Sequence, residues 1–192
     1  MRIVGGKWRG RPISTPEGRA TRPTTDRMRE SLASMVLSAF DLDLMDCSIL
    51  DAFAGSGAVG LELLSRGASH CTFCESNRRT AGIVRQNCKS LGANPDTWNV
   101  VVGDALRLSK RSHLDGSPFS LVFLDPPYAM LAEDVSKLVS DLDALGMLAP
   151  ECIVVYERAS GSDSLNVNGF VKVRSKDHGG TSVDLFRRGD TE

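Results

Sequence analysis

The chain has 192 residues, with 23 Lys or Arg against 24 Asp or Glu for a formal net charge of −1, and 41% apolar and 24% charged residues. That length suits one domain with a substantial core rather than two, and the composition excludes disorder as the main state. No apolar run nears the ~18 residues that a membrane-spanning helix needs, and Met1-Arg2-Ile3-Val4-Gly5-Gly6-Lys7 turns polar before a signal-peptide core can form, so a cytoplasmic protein is expected.

The charge is unevenly spread. Residues 1–30 hold Arg2, Lys7, Arg9, Arg11, Arg19, Arg22, Arg27 and Arg29 against Glu17, Asp26 and Glu30, which leaves the remainder acidic. Seven of these eight cations are arginine, whose planar guanidinium suits phosphate, and Trp8 lies among them as a surface on which a base can stack. A basic arm on an acidic body points to a polyanionic partner; the competing reading is an ordinary solvated face. Loose alternation from Arg2 to Ser14, with Gly5-Gly6 and Gly10 at turn positions, predicts a small β-hairpin. The pattern changes after Pro23. From Thr24-Thr25-Asp26, Met28, Leu32, Met35, Val36, Ala39 and Phe40 fall on one side of a helix that leads into a second region, residues 24–192.

Beyond that helix, apolar runs alternate with helical stretches. Ser48 to Phe53, Cys71 to Glu75, Trp98 to Val102, Ser120 to Leu124 and Cys152 to Glu157 are expected as strands. Ala58 to Arg66, Arg78 to Leu91, Leu106 to Arg111 and Ala132 to Leu145 are expected as helices or helical turns. Such alternation, with nearly continuous apolar strands, indicates an α/β protein with a mostly parallel sheet covered on both faces. Phe170 to Arg174 and Ser182 to Arg187 are joined through Asp177-His178-Gly179-Gly180 with no room for a crossover helix, so they are expected as an antiparallel hairpin at the sheet edge. The five cysteines, Cys47, Cys71, Cys74, Cys88 and Cys152, are an odd count that fits reduced thiols. Cys71 and Cys74 have a CxxC spacing, but in a strand residues three apart point to opposite faces, so no metal is expected there.

Ile49 to Gly60 reads as strand, glycine turn and helix start, and contains G-x-G-x-x-G at Gly55, Gly57 and Gly60, with Glu75 twenty residues past Gly55. Alone, this fits a dinucleotide site, in which backbone approaches a pyrophosphate and the acid holds ribose hydroxyls. Asp51 shifts the balance, because a carboxylate beside this loop suits an ammonium or sulfonium better than a pyrophosphate. S-adenosylmethionine carries both cations and a ribose. Asp104, flanked by Gly103 and Ala105 after the third strand, falls within range of an adenine amine. The candidate cofactor residues are therefore Asp51, Phe53, Ala54, Gly55, Ser56, Gly57, Glu75, Ser76, Gly103, Asp104, Ala105 and Asp125. Capping of loops or helix starts is the plainer alternative for Asp51 and Asp104.

Asp125-Pro126-Pro127-Tyr128 after the fourth strand is the most specific signal. An exocyclic base amine is a poor nucleophile because its lone pair is delocalised into the ring. If the Asp125 carboxylate and the Pro126 carbonyl each accept a hydrogen bond from the NH2 group, the nitrogen is drawn toward tetrahedral geometry. Pro126 and Pro127 rigidify the turn, and Tyr128 can stack on a base flipped out of its helix. Catalysis would rest on positioning and acceptor electrostatics, without a metal.

These residues resemble the class I S-adenosylmethionine-dependent methyltransferases. More narrowly, the chain is similar to the RsmD family of bacterial 16S ribosomal RNA guanine-N2 methyltransferases. The likeness runs through Arg2 to Gly10, Arg22-Pro23-Thr24-Thr25-Asp26-Arg27, Phe53-Ala54-Gly55-Ser56-Gly57, Ser65-Arg66-Gly67-Ala68 and Asp125-Pro126-Pro127-Tyr128. It implies a Rossmann-like sheet of seven strands with helices on both faces, a methyltransferase domain over residues 24–192, and a basic N-terminal arm over residues 1–23 that contacts RNA. The implied partner is 16S rRNA in the small ribosomal subunit or a late assembly intermediate, met by a monomer. Arg2, Lys7, Trp8, Arg9, Arg11, Arg22, Thr24, Thr25 and Arg27 are the candidate RNA contacts. Rival readings are N6 methylation of adenine in DNA or another nucleic acid, methylation of a protein glutamine amide, a non-catalytic RNA-binding assembly factor, and NAD-dependent oxidoreduction.

Overall fold

A computed structural model describes residues 1–16 and 26–189. One helix, α1 (Asp26–Ala39), precedes an alternation of β1 (Ser48–Asp51), α2 (Ala58–Ser65), β2 (His70–Glu75), α3 (Arg78–Leu91), β3 (Trp98–Val102), β4 (Phe119–Leu124), α4 (Ala132–Ala144) and β5 (Leu148–Ala159), closed by β6 (Phe170–His178) and β7 (Thr181–Arg188). The seven strands lie in the order β3-β2-β1-β4-β5-β7-β6. β1 to β5 run parallel, while β7 pairs antiparallel with both β5 and β6.

Burial explains both faces of the sheet. Leu32, Met35 and Val36 of α1, Leu61 and Leu64 of α2, and Val84 and Leu91 of α3 pack with Ile49, Phe73 and Leu121 on one face. Val135, Leu138 and Leu142 of α4 and Leu108 pack with Leu50, Val122 and Val154 on the other. Cys71 and Cys74 belong to opposite faces, as period-two alternation requires. All five thiols are buried, and burial pushes Cys47, Cys74, Cys88 and Cys152 up to about 12.

The chain order places a switch point between β1 and β4, where successive crossovers leave in opposite directions. The carboxyl ends of strands at such a point form a crevice in which ligands bind. α3 coincides with the expected helix because its ends are chemically marked: the Asn77 side chain accepts from Arg79 N and Thr80 N, and Gly92 closes the helix at φ +70°.

Several expected elements change. β1 stops at Asp51 rather than Phe53, although Ala52 N still bonds Phe123 O at 3.0 Å, because the chain swings into the glycine turn. The turn expected over Leu106 to Arg111 is a 3-10 helix, Ala105–Lys110, started by the Asp104 side chain. Both hairpin strands are longer than expected, and β6 slips register between Lys172 and Arg174.

The N-terminal β-hairpin does not form as strands. Residues 1–13 make a loop closed by one antiparallel bridge, Arg2 to Pro12, with a 3-10 turn at Gly6–Trp8. Pro12 has no N–H for a ladder. The amides of Val4 and Gly5 are instead taken by the Glu62 carboxylate at 2.7 and 2.8 Å. The expected contacts at Arg22, Thr24 and Thr25, and the boundary at residue 23, lie outside the described residues. Among the described residues, no helix is long and apolar enough to cross a membrane.

Candidate active site

Asp51 ends β1 and is 1% exposed. Its Oδ2 accepts from Gly60 N at 3.2 Å, the helix-start role expected of such an acid. Its Oδ1 is buried without a hydrogen-bond partner. Burial pushes this carboxyl up to about 7; the Gly60 hydrogen bond opposes that rise, and the charges of Asp125 and Glu75 add to it. Asp51, Glu75 and Asp125 are thus brought within electrostatic reach of one another.

The glycines have separate jobs. Gly57 sits at φ +79°, where an added Cβ would meet Val84 Cγ1 at 3.0 Å, and a Cβ on Gly60 would meet Phe73 Cε1 at 2.4 Å. These two seat α2 on the sheet. Gly55, at φ +53°, faces open space, so its left-handed backbone rather than crowding calls for glycine. Glu75, at the end of β2, accepts from Gly55 N at 3.0 Å through Oε2 and from Asn77 N at 2.7 Å through Oε1, with the Ser76 hydroxyl 3.4 Å from Oε1. Ala54 N bonds Cys74 O, and Gly103 N bonds Glu75 O. The first three strand ends are therefore stitched by backbone. Phe53 is half-buried and packs on the α4 face. Asp104 is exposed and caps Leu106 N at 3.0 Å, with buried Ala105 behind it.

Across the switch point, Asp125 follows β4. Burial raises its carboxyl to about 6. Leu124 pairs with Tyr156 in parallel register, so the next residue of β5, Glu157, stands beside Asp125. Burial and the Asp125 charge push Glu157 up to about 8. Pro126, Pro127, Tyr128, Tyr156 and Glu157 line a cleft of about 150 Å³. Pro126 is buried, and Tyr128 is 60% exposed with its hydroxyl 3.4 Å from Thr181 Oγ1.

The arm is arranged differently from expectation. Trp8 is 6% exposed in the core, covered by Lys7 Nζ at 4.6 Å from the ring centre, so its ring is not a free stacking surface. Burying a large apolar ring against α2 removes more surface from water than the arm's few backbone bonds could replace. Arg2 pairs with Asp26 at 2.8 Å. Arg11 donates to the backbone oxygens of Ser90 and Leu91 at the end of α3. Arg9 and Arg27 are exposed, and the Arg9 side chain has no ion-pair partner among the described residues.

Four residues went unread in the sequence. Glu62 and Ser65 of α2 anchor the arm, Ser65 Oγ accepting from Trp8 N and donating to Gly5 O. Asn87 bonds Ser14 in both directions and donates to Ser56 O in the glycine turn. Glu157 faces Asp125. Glu62, Ser65 and Asn87 are polar residues on helix faces otherwise given to the core, a signal the apolar periodicity itself contains.

The family model described as conserved hypothetical protein 95 matches residues 1–187. Ribosomal RNA small subunit methyltransferase D of Escherichia coli K12 is 37% identical over 158 residues, covering 82% of this chain and 74% of the relative. Its namesake in Haemophilus influenzae is 29% identical over 188 residues, covering 97% and 93%. The solved structure of Escherichia coli yhhF superposes with a TM-score of 0.81 at 34% identity over 98% of this chain and 97% of that one. The fold is also that of magnesium protoporphyrin IX methyltransferase of Synechocystis, solved with bound S-adenosylmethionine, at a TM-score of 0.63 and 18% identity over 85% and 79% of the two chains.

Proposed function

Because the chain belongs to the family described as conserved hypothetical protein 95, the RsmD family, we propose that it is an S-adenosylmethionine-dependent methyltransferase acting on N2 of one guanine in 16S ribosomal RNA. One observation carries the reading: Asp125-Pro126-Pro127-Tyr128 stands at the carboxyl end of β4, across the switch point from a buried Asp51 oxygen that has no partner.

The residues present fit the cofactor. The unpartnered Asp51 Oδ1 is a seat for a cationic donor, which a buried carboxylate strongly favours. Glu75 Oε2, held by a single backbone amide, keeps a free lone pair for a ribose hydroxyl. When bound, S-adenosylmethionine supplies an electrophilic methyl, whose transfer forms the N2–C bond while the S–C electron pair returns to sulfur. Asp125 and the Pro126 carbonyl hold the two N2 hydrogens and turn the nitrogen lone pair toward the methyl. The surplus proton on N2 passes to Asp125, whose pKa near 6 suits a transient acceptor that then releases it to water. Tyr128, with its exposed ring at the mouth of the cleft, stacks on the extruded base.

In this reading the protein works in the cytoplasm as a monomer on small subunits or their late assembly intermediates. Arg9, Lys7 and Arg27 contact RNA phosphates directly, while Arg2 and Arg11 hold the arm. Arg22, Thr24 and Thr25 belong to the same RNA-contacting segment. The test is mass spectrometry of digested RNA after incubating the protein and S-adenosylmethionine with small subunits from cells lacking the endogenous activity. One N2-methylguanosine per particle is expected. Absence of methyl uptake, with cofactor binding demonstrated, overturns the ribosomal assignment.

A further inference from the structure

Glu157 is only 7% exposed, and its carboxyl group makes no hydrogen bond or ion pair among the described residues. It lines the cleft shared by Pro126, Pro127 and Tyr128. The cation next to it in sequence is committed elsewhere: Arg158 bonds Asp184 at 2.8 Å through Nε and Ser162 O at 2.7 Å through Nη1. Across the sheet Glu157 is paired with Val183, an apolar neighbour. The charge that acts on it is that of another acid, Asp125, at the end of the adjoining strand, and the further acid Asp163 lines the same cleft. Two side-by-side carboxyls without donors are unfavourable in a buried site. Such a pair is complementary to a ligand edge that offers several N–H groups in a row.

Guanine has that edge. Its N1–H and N2 amino group are adjacent donors, whereas a purine with a bare N1 presents a lone pair at the corresponding place. We propose that Glu157 accepts the N1–H of the target guanine while Asp125 and the Pro126 carbonyl take the N2 hydrogens, so that Glu157 selects guanine over purines whose N1 carries no hydrogen. This rests on the guanine-N2 reading above and adds the residue that sets base choice. Above about pH 8, where Glu157 is ionised and can only accept, a bare N1 would leave its oxygen facing a lone pair, and sites built to bond a substrate N–H reject analogues that lack it by large factors.

The experiment uses small subunits assembled in vitro around 16S rRNA that carries, at the methylated position found by mass spectrometry, either guanine or 2-aminopurine. The second base keeps the 2-amino group and has a bare N1. At about pH 9, where Glu157 is ionised, the unaltered protein is expected to favour guanine by about 100-fold or more in kcat/KM. Glu157→Gln, whose amide can turn either its oxygen or its NH2 group to the base, should bring that preference within about 10-fold. Glu157→Leu should lower the guanine rate to the level of 2-aminopurine. Calorimetric titration with S-adenosylhomocysteine verifies that each variant retains the cofactor site, and the Gln variant decides if the Leu variant fails to fold. A guanine preference unchanged by substitution overturns the assignment, because a merely structural role lowers both rates alike. No methylation of guanine subunits by the unaltered protein overturns the guanine-N2 reading itself.

Discussion

Both halves of the carboxyl edge bury acids, yet they treat them in opposite ways. At the ends of β1 and β2, backbone amides meet the carboxylates: Gly60 N bonds Asp51, and Gly55 N and Asn77 N bond Glu75. One oxygen, Asp51 Oδ1, is left over. At the ends of β4 and β5, Asp125 and Glu157 stand side by side; burial raises the proton affinity of both, and the Asp125 charge adds to the rise at Glu157. In the proposed reading the first half is organised before the cofactor arrives, with one unpartnered acid oxygen for a cation and Glu75 for a ribose. In the same reading the second half is an acceptor surface whose donors come from the substrate. The electrostatic contrast is what the proposed division into a cofactor seat and an acceptor seat rests on.

The largest effect should come from breaking the acceptor side. Asp125→Ala is expected to lower turnover by about 10²–10³-fold while leaving S-adenosylhomocysteine affinity nearly unchanged, as read by methyl incorporation and calorimetry. A parallel fall in cofactor affinity would mean the two halves are not separable. Asp51→Asn should do the reverse, weakening cofactor binding by about 10–100-fold.

The same substitution sharpens the comparison through stability. Burial raises the Asp51 pKa from 3.8 to about 7, so the folded protein binds this proton more tightly than the unfolded chain does. Its contribution to stability is then full below about pH 4 and is lost as pH rises through about 7. Asp51→Asn removes that loss, and should raise the melting temperature of the cofactor-free protein by several degrees at neutral pH. Melting curves of both forms across that range check the sign.

Smaller effects concern the arm. Glu62→Ala leaves the amides of Val4 and Gly5 and the Arg66 guanidinium without their buried acceptor, at a cost of about 2–4 kcal/mol. Hydrogen exchange at those two amides should accelerate before that of β1. Arg9→Ala should reduce the log-log salt slope of RNA binding by about 0.7–0.9. Arg11→Ala, which loses two backbone acceptors instead, should leave that slope unchanged and lower stability by about 1 kcal/mol.

Elements whose ends are marked by side chains were legible in advance. α3 is bounded by Asn77 and Gly92, and the β6–β7 turn by two glycines of positive φ. The glycine turn and the Asp-Pro-Pro-Tyr segment were equally plain, because each packs several constraints into adjacent residues. Alternation suggests a hairpin in the arm because it reports only which residues prefer burial. It says nothing of Glu62, nearly sixty residues away, which takes the amides that a partner strand would have used. The same holds for Trp8, whose ring packs in the apolar core with Lys7 over it, so that the cations around it in sequence do not mark a free stacking surface.

The sequence by itself determined the parallel α/β architecture, the place of the glycine turn, and the acids at the ends of β1, β2, β3 and β4, because periodicity and turn chemistry are local properties of the chain. Only the tertiary structure decided which of those acids stay unpartnered, which arginines are bound to backbone, and that Glu157 stands beside Asp125. Those outcomes depend on strand register and on desolvation by residues distant in the chain, and neither quantity exists until the sheet has closed.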